Sequence, residues 1–265
     1  EQKAKYLGIF TAKEAQWGAY GLTEPVAGSD VAGIRTSARK DGNHWVLNGR
    51  KCFITNGARA SWVVIFATVD ASKGRAGHRA FVVEKGTPGF SVGKIEEKMG
   101  LRASETAELV LEDCRVHEDC LLGGEKYYEG KEGFMGAMKT FDTTRPMVGA
   151  MAVGIARAAH EKAIDFAKEH FDLGRPVARY HHVEELIARS KRRIEASRLL
   201  CWKAAFMADA GISNAKEASM AKALAARACV DTLSDLTQVM GAAGVMSDNM
   251  VEKWFRDIRV YDIFE

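Results

Sequence analysis

Two groups of side chains in this 265-residue chain have types and spacing suited to chemistry. The first is Glu265, which follows the apolar pair Ile263 and Phe264. A carboxylate buried among apolar groups has a raised pKa and suits proton abstraction. A glutamate in a solvated segment does nothing of the kind, and the local residues alone leave both readings open. The second is the run Cys114-Arg-Val-His117-Glu-Asp-Cys120, three soft or borderline metal ligands in seven residues. No second cluster completes a site, so no metal is expected. The five cysteines, an odd number without a C-x-x-C, read as reduced thiols in a reducing compartment.

The elements that must position such groups fall into two halves. Strand signals fill the chain up to about residue 125. Trp45-Val46-Leu47 and Cys52-Phe53-Ile54 flank Asn48-Gly49, a strong hairpin signal. Trp62 to Val69 is a continuous apolar run, Arg79 to Val83 follows, and Thr87-Pro88-Gly89 turns into Phe90-Ser91-Val92. Leu109-Val110-Leu111 and Val116 close a small all-β domain, expected as a barrel or sandwich.

Past Gly123-Gly124 the period lengthens. Val148, Met151, Ile155, Ala159, Ala163 and Phe166 form one helix face, with Pro146 suited to its first turn. A second face runs through Val183, Leu186, Ile187, Ile194 and Cys201 to Ala210-Gly211. Ser213 or Asn214 is placed to cap a third helix holding Met220, Leu224 and Leu233, and a shorter fourth covers Met250 to Val260. Four antiparallel helices make a bundle, with the methionines as core filler. The fold class is therefore α+β and multidomain. The expected divisions are 1–17, the end of a helical domain; 18–125, the β domain; and 126–265, the helical bundle. The sequence reads as a piece of a longer polypeptide.

Several segments resemble, in collinear order, the signatures of the acyl-CoA dehydrogenase family. They are Tyr20-Gly-Leu-Thr23-Glu24-Pro25-Val-Ala-Gly28-Ser29-Asp30, Asn48-Gly49 with Lys51-Cys52-Phe53-Ile54-Thr55-Asn56-Gly57, Met99-Gly100-Leu101-Arg102 with Ser104 and Thr106, Phe141-Asp142-Thr143-Thr144-Arg145-Pro146, and Arg256 to Glu265. The resemblance implies a helical domain, a middle β domain and a C-terminal four-helix domain, with most of the first and the tail beyond Glu265 missing here. It implies FAD as cofactor and an acyl-CoA substrate desaturated between its α and β carbons. Glu265 matches the base, and its own backbone N–H with a flavin ribityl hydroxyl would hold the thioester oxygen. Some relatives carry the base on the helix after the β domain, where this chain has Thr144. The ring site implied comprises Tyr20, Leu22, Thr23, Gly28, Ser29, Phe53, Ile54 and Thr55. Phe53 stands where many relatives have tryptophan, and Gly28 suits close backbone approach. Ser29, Asp142 and Arg145 match positions that handle CoA, although Arg145 also suits a structural ion pair.

The adenosine-diphosphate site departs from the pattern. His170, followed by Phe171 and Asp172, replaces an arginine with which a neighbouring subunit grips the pyrophosphate. A His-Gln pair becomes His181-His182, and Gln-x-x-Gly-Gly becomes Gln238-Val-Met-Gly241-Ala242. The implied partners are an electron-transferring flavoprotein as acceptor and a second copy of the chain, in a dimer or tetramer. Alternatives within the resemblance are an oxidase-like relative, another relative with changed chemistry, and a non-catalytic member that binds FAD weakly. The net charge of +3, with dispersed Lys and Arg, is too small to argue for nucleic acid or a membrane surface as the main partner, and no apolar run reaches the roughly 18 residues of a membrane helix. No targeting signal is visible, and the implied setting is cytoplasm or mitochondrial matrix.

Overall fold

The computed structural model describes residues 1–14, 16–129 and 132–265. The chain divides into two compact units, one of residues 1–97 and 102–137, the other of 98–101 and 138–265.

The first unit opens with a short helix, α1 (Gln2–Leu7). Its strands are β1 (Gly18–Gly21), β2 (Ser37–Asp41), β3 (His44–Thr55), β4 (Trp62–Thr68), β5 (His78–Glu84), β6 (Phe90–Ile95) and β7 (Thr106–His117). Among the described residues these make one sheet in the order β1-β4-β2-β3-β7-β6, with β5 pairing to β4. This single curled sheet is the half-barrel form of the β domain. Alternation puts Leu47, Ile65, Phe81, Leu109 and Leu111 on its buried face.

The hairpin read at Asn48-Gly49 is not one: both residues lie inside the twelve-residue β3. The strand pairs with β2 on one side and β7 on the other, and the irregularity is a bulge opposite Asn48. Asp113 there has φ +47°, its N–H donates to Asn48 Oδ1 (2.8 Å), and Asn48 Nδ2 donates back to its carboxylate (3.1 Å). Gly49 is required because a Cβ there would lie 2.5 Å from Thr36 Oγ1. Asparagine and glycine here serve a bulge and a close approach, which the same dipeptide spells as readily as a turn.

The second unit is built on α2 (Glu132–Glu169) from residue 138 onward, α3 (His181–Asp209), α4 (Ala215–Met240) and α6 (Met250–Ile263), with a single turn, α5 (Ala242–Val245). Ala152, Ala156, Ala159, Ala163 and Ala167 form a fully buried small-residue ridge on α2. Met151, expected on that face, is exposed, as are Met147, Met220, Leu224, Met246 and Met250. The core-filler reading of the methionines therefore holds for Met240 and fails for Met147, Met151, Met220, Met246 and Met250, because alanines already close the helix–helix contacts.

Pro146 is not in a first turn but inside α2. A proline has no N–H, so the carbonyl four residues back, that of Asp142, loses its helical donor. Asn214 supplies a replacement: its Nδ2 donates to Asp142 O (3.2 Å) and to Ala204 O (2.9 Å). Asn214 is the N-cap residue of α4, yet its side chain makes no cap bond, because it is committed to these two carbonyls.

Candidate active site

In the helical unit, Glu265 follows the C-terminus of α6. Its carboxylate accepts a hydrogen bond from the Thr144 hydroxyl on α2. The two positions at which the family resemblance allows a base are thus in direct contact. Lys222 on α4 donates to Asp262 O (3.4 Å) at the end of α6, where a cation is favoured by the helix carbonyls. Burial pushes the Lys222 pKa down, against the opposing charges of Asp262 and Glu265, and Arg145 adds to the lowering. Arg145 donates to Ser219 Oγ (3.1 Å) and lies 5.3 Å over the Phe141 ring. Among the described residues it forms no salt bridge, so the structural ion pair weighed for it is not found. Asp142 is half-buried, one turn before Pro146.

Glu265 and its neighbours Ile263 and Phe264 are exposed. The expected apolar burial of the carboxylate is not supplied by these helices themselves. They leave an apolar rim instead, extended on α2 by Met147 and by Met151, whose sulfur accepts from Tyr261 OH (3.8 Å).

The approach of α6 is set by the segment Lys98–Leu101. The Leu101 N–H donates to the buried Asp257 carboxylate (2.7 Å), and Arg256 Nη1 donates to Met99 O (3.0 Å). Gly100 lies so close that a Cβ would be 2.2 Å from Arg256 O. Met99-Gly100-Leu101 and the Arg256–Glu265 segment, widely separated in sequence, are therefore one assembly.

His170, Asp172, His181, His182, Gln238, Gly241 and Ala242 sit elsewhere. The first four cluster where α2 gives way to α3, and the last three where α4 gives way to α5. The helices run antiparallel: Arg189 and Arg193 on α3 both bind Asp235 on α4 (3.0 and 2.6 Å), and a Cβ on Gly149 would touch Cys201 and Ala225. Both clusters consequently lie at one end of the bundle, and Thr144, Arg145, Lys222 and Glu265 at the other. The 29 residues of α3 span about 43 Å between the ends. His170 stacks on Phe166 at 3.7 Å, with Nδ1 3.0 Å from Phe166 O. Asp172 and Arg175 pair in a two-stranded turn, β8 (Phe171–Asp172) with β9 (Arg175–Pro176).

In the sheet unit, Tyr20 on β1 is exposed at its edge and packs on Phe66 at 5.0 Å. Leu22 and Ile54 are core residues, so any part they take falls to the main chain. Gly28 and Ser29 are exposed beyond the tight turn in which Glu24 and Ala27 exchange backbone hydrogen bonds. Apart from its chain neighbours, no atom of the described residues lies within 4 Å of a Cβ built on Gly28, so no close backbone approach is made there among them. Phe53 is 64% exposed and has φ +59°. A bulky residue in the left-handed region costs about 1–2 kcal/mol. The bulge between Lys51 and Ile54, where β3 gains a residue on β7, imposes this conformation. An aromatic ring is thus held outward at a local cost, with the exposed Thr55 beside it, which fits a planar cofactor laid against this face.

Beneath Phe53 lies a pair that the sequence reading passed over as part of a motif. Lys51 is fully buried and donates to Glu24 Oε1 (2.7 Å) and Leu22 O (3.1 Å). The Glu24 carboxylate also accepts from the N–H groups of Arg35 (2.7 Å) and Thr36 (3.0 Å). Burial raises the Glu24 pKa, but Lys51 and these donors outweigh it and hold the group below the ordinary carboxylate range. Burial pushes Lys51 down, and Glu24 opposes it. His78, also buried, is pushed down by burial and by the Lys51 charge. The signal was available: Lys51 has the same strand parity as the buried Leu47.

Cys114 points into the sheet core while His117, three residues on, is exposed on the other side of the strand. Among the described residues no cluster of three His, Cys, Asp or Glu is suited to a metal. Burial pushes the thiols of Cys114 to about 11 and Cys229 to about 12. No described helix is long and apolar enough to cross a membrane.

Residues 19–114 match the model of the acyl-CoA dehydrogenase middle domain and residues 131–265 that of the acyl-CoA dehydrogenase C-terminal domain. Cyclohexane-1-carbonyl-CoA dehydrogenase of Syntrophus aciditrophicus (strain SB) is 45% identical over 93% of the chain and 63% of that protein. Acryloyl-CoA reductase (NADH) of Anaerotignum propionicum is 43% identical over 100% of the chain and 66% of that protein. The solved structure of butyryl-CoA dehydrogenase from Megasphaera elsdenii superposes with a TM-score of 0.89 at 38% identity, covering 94% of this chain and 64% of that one. The chain belongs to the acyl-CoA dehydrogenase family, a family of FAD-dependent flavoproteins. It spans about two thirds of the length of the curated relatives it matches.

Proposed function

We propose that the protein is an acyl-CoA dehydrogenase in which Glu265 removes the α proton of an acyl-CoA thioester. The observation that carries this reading is the Glu265 carboxylate held by the Thr144 hydroxyl at the end of α6. Bound FAD supplies the acceptor for the β hydrogen, which leaves as hydride, so that the thioester becomes an α,β-enoyl-CoA. Thr144 orients the carboxylate, and Lys222 secures the helix end that presents it. The exposed rim of Met147, Met151, Ile263 and Phe264 suits an acyl chain, which would exclude water from the carboxylate. Phe53, Thr55, Tyr20, Thr23, Gly28 and Ser29 are assigned to the flavin ring, with main-chain groups of Leu22 and Ile54. Ser29, Asp142 and Arg145 are assigned to CoA.

His170, Asp172, His181, His182, Gln238, Gly241 and Ala242 are assigned to the adenosine-diphosphate part of the FAD held by a second copy. The length of the bundle supports this, since these groups lie a whole helix away from Glu265. The electron acceptor proposed is an electron-transferring flavoprotein. A second reading, a member that holds FAD weakly, is favoured by one observation: the His170 ring is stacked on the Phe166 ring of its own chain.

The test is anaerobic flavin bleaching by a panel of short, branched, medium and long acyl-CoAs with full-length protein. Glu265→Gln is expected to retain flavin and abolish bleaching. Bleaching at the parent rate refutes the assignment of the base, and purification of the parent without flavin supports the second reading.

A further inference from the structure

The buried Lys51–Glu24 pair offers an inference that rests on the cofactor reading above. A buried ion pair is a poor way to gain stability, because apolar residues of similar volume often do as well or better. What such a pair has that apolar packing lacks is direction. Here the direction is specific. The Lys51 ammonium binds Leu22 O and Glu24, and the Glu24 carboxylate gathers the N–H groups of Arg35 and Thr36. The Cys52 N–H donates to Thr23 O (2.9 Å). Two consecutive residues of β3, immediately before the strained Phe53, are thereby tied to three consecutive residues of the Tyr20–Ser29 segment.

We propose that Glu24 and Lys51 are positioning residues for the flavin ring: they lock Thr23 and Phe53 into one register before the cofactor arrives. Neither touches the ring. The pair preorganises the site, and the binding free energy saved is that of ordering two loose segments.

The double variant Glu24→Leu/Lys51→Met tests this, because it keeps side-chain volume while replacing the directional pair with apolar groups. Glu24→Gln is the companion, keeping shape and one acceptor oxygen but turning an amide N–H₂ toward backbone donors. In full-length protein three quantities are measured: the unfolding temperature of the apoprotein, FAD affinity from quenching of flavin fluorescence, and the fine structure of the flavin absorption bands. The double variant is expected to unfold at a lower temperature, since the Arg35 and Thr36 N–H groups and Leu22 O lose their partners, and, while folded, to bind FAD about tenfold more weakly, with blurred bands. Glu24→Gln is expected to lie between the two. Parental affinity and band shape in a folded double variant overturn the proposal. Should the double variant not fold, parental affinity in Glu24→Gln does the same. A parent that takes up no FAD instead removes the cofactor reading itself, a separate outcome visible before any variant is made.

Discussion

Replacing Gly100 with alanine bears on how Glu265 is held. The added Cβ would lie 2.2 Å from Arg256 O and 2.7 Å from the Asp257 Cα. Ordinary contacts of this kind begin at about 3.3 Å, so α6 and the Lys98–Leu101 segment must part by about 1 Å. Both obstructing atoms belong to backbone, and no side-chain rotation relieves them. Overpacking of this kind costs about 1–3 kcal/mol. The parting also stretches the Leu101–Asp257 and Arg256–Met99 bonds. Glu265 lies about two helical turns beyond Asp257, and a misplacement of about 1 Å at a reacting group can cost about 100-fold in rate. Gly100→Ala is therefore expected to lower the unfolding temperature and slow single-turnover flavin bleaching by about two orders of magnitude. Gly154→Ala is the control. Beyond its own stretch of helix, no described atom lies within 4 Å of its added Cβ, on an exposed face of α2, and it should gain about 0.5–1 kcal/mol. A Gly100→Ala protein with parental stability and parental bleaching would refute the idea that this close approach sets the base.

Thr144→Val removes the hydroxyl from Glu265 and should slow bleaching about tenfold or more while FAD content stays at the parent level; an unchanged rate counts against Thr144 as the orienting group. Because the Glu24 pKa is lowered on folding, its contribution is complete above the unfolded value of about 4.3 and disappears as pH falls through the folded value. Unfolding temperatures measured from pH 6 down to about 3 should therefore fall more steeply for the parent than for Glu24→Leu/Lys51→Met, and parallel curves would contradict this. Thiol titration of the native protein should modify Cys120 well before the buried Cys52, Cys114, Cys201 and Cys229, whereas rapid reaction of Cys229 would show that α4 opens readily. His170→Arg should tighten FAD retention if this position faces a pyrophosphate; unchanged affinity argues for a purely local stacking role.

Much of the architecture was legible because burial leaves a period in the sequence. The run Trp62 to Val69 and the spacing of Leu186, Ile194 and Cys201 indicated a strand and a helix, as found. The misreadings have a common physical origin, since each involves a residue whose partner is remote in sequence. Asn48 resembles a turn until Asp113 is seen opposite it. Pro146 resembles a helix start until Asn214 is seen serving the carbonyl it strands. Met151 resembles core until the alanines of α2 are seen to occupy that place. Among candidate site residues, Glu265 and Phe53 were legible through resemblance and motif. The Thr144–Glu265 contact and the Lys51–Glu24 pair were not, because they join residues 121 and 27 apart in sequence.

The Asn214 bridge has a consequence for how this sequence can change. Proline at 146 creates a need, and asparagine at 214 meets it, so the two positions are not free to drift separately. Losing Asn214 first strands the Asp142 carbonyl, two residues before Thr144, whereas losing Pro146 first restores an ordinary helical bond and leaves the amide only its second carbonyl, at Ala204. Substitution is thus easier in one order than in the other. A double-mutant cycle over the two sites would reveal that asymmetry as a history written into the helix carrying Thr144.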